Sequence, residues 1–350
     1  MDQAAAVTIV RAGPLLKPES SKEGIMDRAR RQFLKLASGG AALPLLSRMA
    51  AAQDYPSRPV RWLLGYTTGG TTDIISRLVT QPLTERLGQP FVIEPRPGAG
   101  TNLATETVVR AVPDGYTLLF VGAPNAINAT LYSKLNFNFI RDIAPVAAIA
   151  SVPMVLIVHP SVPVTSVPEL LAYIKANPGK INMATPGIGT TPHLAGELFK
   201  MMSEVNVQHV PYRGAAPAMT DLLAGHVQLY FSTTPVSIEH IRSGRVRGLA
   251  VTTSDRLEAL PELPTIGEFV PNFEATAWYG VGAPRETPAA IVDKLNREIN
   301  GVLAEPAMKA KFDELGCVLI ARSPAAFSKL IAEETEKWGK VIRFAGMKAE

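Results

Sequence analysis

A single cysteine, Cys317, is present in 350 residues, so no internal disulfide can form and an iron–sulfur cluster finds no ligands. In "CVLIA" it reads as a small apolar strand residue. Neither H-E-x-x-H nor G-x-S-x-G occurs, and none of the five histidines sits at ligand spacing with a partner, so no metal, cofactor or catalytic residue is expected. Apolar runs fall well short of the ~20 residues that span a bilayer. Positive charge is also missing where it would matter. The formal net charge is +4, yet residues 1–52 hold eight Lys/Arg against four Asp/Glu, leaving 27 of each sign in the remainder. With no basic run after residue 52, nucleic acid and anionic membrane surfaces are excluded as partners. No internal repeat or low-complexity linker follows.

What is present begins with a leader. Arg30-Arg31-Gln32-Phe33-Leu34-Lys35 precede a weakly apolar Gly/Ala/Leu run, Arg48 and Ala50-Ala51-Ala52. That is the order of a secretory signal, and the paired arginines resemble the twin-arginine export type. Residues 1–52 are therefore expected to be a signal peptide cut after Ala52, and the mature protein to be periplasmic. Met26 opens a compact signal by itself, which makes it an alternative start.

After the leader, short runs rich in β-branched and aromatic residues ("VRWLLGY", "YTLLFVG", "PMVLIVH", "VQLYFST", "AWYGVGA") alternate with helical patterns. This order predicts an α/β fold with largely parallel sheets. Ser166 with Glu169 reads as a capping box, and Thr191-Pro192, Thr287-Pro288 and Ser323-Pro324 as N-cap plus first helical residue. Gly225 and Gly244 read as helix stops. Pro82 is expected to kink or split the helix in "DIISRLVTQPLTERLG".

The stretch "GYTTGGTTDIIS" follows the first apolar run, with three glycines, four threonines and no Lys, Arg or His. A helix starting near Thr72 or Asp73 would aim its unpaired N–H groups into the crevice at the sheet's carboxyl edge, an arrangement suited to an anion. Glycine admits a ligand to the backbone and threonine adds donors without charge, while the missing lysine argues against a nucleotide phosphate loop. The same stretch also suits a threonine-capped turn that binds nothing. A second stretch, "ATPGIGTTPHLAGELF", repeats the pattern with Thr190 and Thr191 at the helix mouth. There His193 could meet a ligand or pack on the surface. "RPGAGTN" and "VGAPNAINA" also follow strands, and in the latter Ala123, Asn125 and Asn128 are near a possible ligand, although the asparagines could equally cap their own turn.

On these segments, together with "LGQPFVIEPRPGAGTN", "VPYRGAAPAMTDLLAGHVQLYF", "GRVRGLAVTTSDRLEALPELPTIGEF" and "YGVGAPRETPAAIVDKLN", the chain resembles the Bug-type solute receptors of tripartite tricarboxylate transporters, in family order from about Tyr55. The resemblance implies a two-domain periplasmic binding protein of the type II, Venus-flytrap kind, hinged by crossing strands. Domain 1 would be 53–152 with 275–350, and domain 2 would be 153–274. It implies capture of a small di- or tricarboxylate for a membrane permease. The ligand would be held by Tyr66, Thr67, Thr68, Gly69, Gly70, Thr71 and Thr72 of the first loop, by Thr185, Gly187, Gly189, Thr190, Thr191 and His193 of the second, and by Ala123 and Asn125. The family's first loop usually opens Pro-Gly-Gly, here replaced by Thr67-Thr68-Gly69-Gly70. Ser232, Thr233 and Thr234 stand where relatives often carry Asp, which favours acids without an ammonium group.

Arg213 could pair with a carboxylate or fold over the surface, and Asp221 reads as solvated or capping. Trp278 and Tyr279 would line the cleft or pack beneath it. A monomeric receptor is expected. The other reading is an exported enzyme acting on a small carboxylic acid.

Overall fold

A computed structural model describes residues 55–344 and 346–347. The expected signal, its cleavage site and the Met26 start lie outside them. The chain begins in β1 (Val60–Leu64), whose side chains are buried on both faces: Val60, Trp62 and Leu64 enter one cluster and Leu63 another. Burial on both faces is the mark of an inner parallel strand, and β1 pairs in parallel with β2 (Phe91–Pro95) and β3 (Thr117–Gly122). One face is covered by α1 (Thr71–Leu87) and α9 (Ala289–Leu303), through Ile75, Val79, Leu83, Leu295 and Ile299. Helices α2 (Asn102–Val109), α3 (Ala123–Leu131) and α11 (Pro324–Phe344) cover the other, through Ala104, Ile127, Phe327 and Trp338.

The element that organises the molecule is β4 (Ile143–Val158), 16 residues long. From Ile143 to Pro153 it pairs antiparallel with β9 (Thr276–Pro284), and β10 (Val318–Arg322) joins its other edge. From Met154 to Val158 its partners are β7 (Leu229–Thr233) and β8 (Arg247–Val251). Pro145 lies at a register shift and Pro153 where the partners change, positions that tolerate a missing donor. Beyond β7, β5 (Asn182–Thr185) and β6 (Gln208–Pro211) continue in parallel. The strand order is β2-β1-β3-β9-β4-β7-β5-β6. The arrangement is thus mixed rather than mostly parallel: parallel flanks, built by strand–helix units, meet through antiparallel crossing strands. Helices α5 (Val167–Ala176) and α6 (Thr191–Ser203) cover one face of the second flank. On its other face lie α7 (Ala215–Leu223) and α8 (Thr234–Arg242).

Local signals hold with small shifts. Ser166 Oγ accepts from Glu169 N at 3.3 Å and Ser323 Oγ from Ala326 N at 3.3 Å. The cap of α6 is Thr190, not Thr191, and α9 begins at Ala289, with Pro288 at the cap and the Thr287 hydroxyl buried without a partner. Gly225 and Gly244 follow α7 and α8 with φ of 76° and 69°. Pro82 does not split α1. Two short helices, α4 (Phe139–Asp142) and α10 (Pro306–Glu314), complete the set.

Candidate functional site

Five helices, α1, α3, α6, α7 and α8, each begin directly after a strand, β1, β3, β5, β6 and β7. Their first residues enclose one cavity of about 30 Å³. Gly70, Thr71 and Thr72 come from α1, Pro124 from α3, Thr190, Thr191 and Pro192 from α6, Ala215 from α7, and Thr233 from the cap of α8. Tyr66, Pro186, Tyr230 and Tyr279 close it. No Asp, Glu, Lys, Arg or His is among the described lining residues. Helix N-termini present unpaired N–H groups and roughly half a positive charge each, so the cavity is electropositive without a cation.

The hydroxyls around it are unusual for buried polar groups. Those of Tyr66, Thr72 and Tyr230 are buried with no aligned hydrogen-bond partner, Tyr230 having Ser232 beside it, a condition native interiors generally avoid. Burial raises the phenols of Tyr66, Tyr230 and Tyr279 above their ordinary range, keeping them neutral and able to donate. Thr71 Oγ1 and Thr233 Oγ1 lie 2.5 Å apart and join α1 to β7 across the cavity. Tyr66 and Pro186 also line a wider groove of about 540 Å³, with Gly100, Tyr132, Ile188 and Arg213, and so stand between the cavity and that opening.

The first loop is held from behind. Gly69, with φ of 79°, donates its N–H to Asp73 Oδ2 at 2.9 Å, and Asp73 Oδ1 accepts from Arg77 Nε at 3.0 Å. Thr67 Oγ1 donates to the Arg213 carbonyl at 3.3 Å, so this threonine bridges to the β6–α7 loop, and Thr68 is exposed. Of the first-loop residues, Tyr66, Gly70, Thr71 and Thr72 reach the cavity, while Thr67, Thr68 and Gly69 do not line it.

The second loop is a self-bonded turn. Thr185 Oγ1 donates to the Gly187 carbonyl at 3.2 Å, and Thr190 Oγ1 does so at 2.8 Å. At Gly189, φ is 79° and an added Cβ would lie 2.5 Å from Leu131, so both conformation and space require glycine. His193 does not face the cavity. Its Nδ1 accepts from Gly189 N at 3.2 Å and its ring meets that of His209, with centroids 4.6 Å apart. Thr190 and Thr191 line the cavity, whereas Thr185, Gly187 and Gly189 shape the turn behind them.

Asn125 is fully engaged elsewhere: Oδ1 accepts from Gly122 N at 2.8 Å, and Nδ2 donates to Thr105 at 2.9 Å and Thr101 at 3.2 Å. It caps α3, and Ala123 is core. Asn128 likewise donates to the Gly100 carbonyl and Asn102. Arg213 is exposed, Asp221 accepts from the Tyr212 hydroxyl at 2.7 Å, and Trp278 Nε1 donates to Glu334 at 3.0 Å. Of the aromatic pair at the return crossing, Tyr279 lines the cavity.

Pattern reading missed Tyr230, Pro124, Pro186, Pro192 and Ala215 as lining residues, and the histidines also need correction. His193 and Glu197 share a face of α6 at i,i+4, and β6 brings His209 to them, so a His/Glu/His cluster exists although no H-E-x-x-H spacing does.

Comparison with known proteins agrees with this fold. The family model described as the tripartite tricarboxylate transporter family receptor matches residues 75–347. Protein BugT of Bordetella pertussis (strain Tohama I) is 35% identical over 316 residues, covering 89% of this chain and 95% of BugT. R. palustris Rpa4515, solved with adipate, superposes with a TM-score of 0.82 at 38% identity over 84% of this chain and 99% of that one. The periplasmic binding protein BugD gives a TM-score of 0.82 at 33% identity, covering 85% and 100%.

Proposed function

Because this chain belongs to the receptor family of the tripartite tricarboxylate transporters, we propose that it is a periplasmic solute receptor that closes on a small organic dicarboxylate or related acid and presents it to a membrane permease. The observation that carries this reading is a cavity ringed by five helix starts and three hydroxyls without aligned partners, with no cation among its described lining. Such a site compensates an anion with main-chain and hydroxyl donors alone. Hydrogen bonds to a charged group contribute roughly 1.5 to 3 kcal/mol each. Four or five therefore support the ~8 kcal/mol of a micromolar complex after ordering costs. The adipate held by the relative Rpa4515 points to the same ligand class.

The cavity is small. At ~10–15 Å³ per water it holds about two waters, room for one carboxylate group and not for a whole diacid. Entry therefore requires the two lobes to part, or the solute to extend past Tyr66 into the adjoining groove. The change of partners along β4 at Pro153–Met154, with β9 returning at Thr276, supports lobes of 53–152 with 275–350 and of 153–274. Export by a twin-arginine signal cut after Ala52, and a monomeric state, complete the proposal. Among the described residues no helix is long and apolar enough to cross a membrane.

An exported enzyme built on the same cavity is the weaker reading. The described lining offers no acid or base that titrates near neutral pH, and the phenols are pushed away from it.

The test is a thermal-shift panel of di- and tricarboxylates, aromatic acids and amino acids. A bound acid at a hundredfold excess over Kd adds about 2.7 kcal/mol to the unfolding free energy. Silence across every carboxylate, together with turnover of some other compound, would overturn the receptor reading.

A further inference from the structure

We propose that His193, Glu197 and His209 form a binding site for a divalent transition-metal ion of the zinc type, separate from the solute cavity. One ligand atom from each lies within 4.8 Å of those of the other two, two from α6 and one from β6, and none of these residues lines the cavity. Two imidazoles and a carboxylate are a donor set that zinc uses with a fourth position left to water.

A second observation marks the place. His209 Nδ1 is buried without a hydrogen-bond partner, while Nε2 lies 2.7 Å from Glu197 Oε1. A buried imidazole nitrogen without a partner is a group that needs a further contact. A cation is already drawn to the spot: Lys200 Nζ sits 2.8 Å from the same Glu197 oxygen. Lys200 and Glu197 are about one-fifth exposed, so the ammonium can swing to solvent and an ion can enter.

Coordination asks for two local changes. Bonds of about 2.0–2.2 Å to a tetrahedral ion place donors on the order of 3.4 Å apart, so a pair at the 4.8 Å limit must close by about 1.4 Å and the 2.7 Å Glu197–His209 pair must open by about 0.7 Å. Because His193 Nδ1 now accepts the Gly189 N–H, binding through Nε2 moves the ring proton to Nδ1 and gives that hydrogen bond up.

The experiment is Zn²⁺ titration of the full chain against a chromogenic chelator, with Co²⁺ absorption as the geometric readout, on wild type, Glu197→Gln, His209→Gln and Asp221→Ala. Asp221→Ala removes the exposed His226–Asp221 pair elsewhere on the surface. One Zn²⁺ per chain is expected, with the absorption bands of tetrahedral Co²⁺. Glu197→Gln and His209→Gln should each weaken Zn²⁺ by at least about tenfold, and Asp221→Ala should leave it unchanged. Should the first two variants not fold, the wild-type stoichiometry and Co²⁺ spectrum decide. No stoichiometric uptake, an octahedral aquo-type spectrum, or uptake lost only in Asp221→Ala would overturn the site. The carboxylate panel reads the cavity independently, so either proposal can fail without the other.

Discussion

Tyr230 carries the sharpest consequence at the scale of one residue. Its hydroxyl is buried against an anion-ready cavity with no aligned partner, Ser232 lying beside it. Tyr230→Phe should therefore stabilise the solute-free protein by about 1 kcal/mol while weakening the acid roughly tenfold, since the ligand loses a donor. Paired melts with and without solute measure both signs, and a variant that gains affinity would rule out the role. A Cβ on Gly70 would sit 3.4 Å from Ala215, an ordinary contact. Gly70→Ala should thus bind moderately less well, whereas Gly70→Val, with two further carbons at the helix mouth, should abolish binding in calorimetry. Thr68→Ala should be nearly silent, because Thr68 points to solvent. Cys317 is buried with its thiol pushed up to about 12 by desolvation. It should resist alkylation at neutral pH until the fold is denatured. At this scale the sequence was partly legible. Glycine and threonine at the mouths of α1 and α6 announce themselves by type. The direction of a side chain does not, which is why Asn125 and His193 read as ligand contacts although the first caps α3 and the second holds Gly189.

Among elements, α11 is pinned by one carboxylate. Glu334 Oε2 accepts from Trp278 Nε1 at 3.0 Å and from Trp338 Nε1 at 2.8 Å, and both indoles are buried. Glu334→Ala leaves two donors unpaired and should cost about 2–4 kcal/mol in urea unfolding. A loss below ~0.5 kcal/mol would mean that water replaces the carboxylate. Element order was readable because period and punctuation are local. The crossing strands followed only from the family resemblance and not from local pattern, since they join β4 to β9, more than a hundred residues further on. Helix starts slipped by one residue where Thr-Thr-Pro or Thr-Pro offers two adjacent caps. The third mouth, at α8, had the same strand-to-threonine signature as the first two and could have been found by applying one rule throughout.

For the molecule as a whole, the Thr71–Thr233 hydroxyl pair spans the seam between the parallel flanks. Thr71→Val should shift the lobes toward the open state and weaken the solute by about 1 kcal/mol. Small-angle scattering should then show a larger radius of gyration without solute and contraction on its addition, and an unchanged radius in both states would exclude hinge closure as the response. The long strand β4 has a further effect, on how the chain is made. Its first half is completed by β9 and β10, and the edge of β3 by β9, so during synthesis three unsatisfied strand edges wait for strands that end at residues 284 and 322. A polypeptide ending before Thr276 would expose them permanently, and the natural fate of such a fragment is intermolecular strand pairing and precipitation.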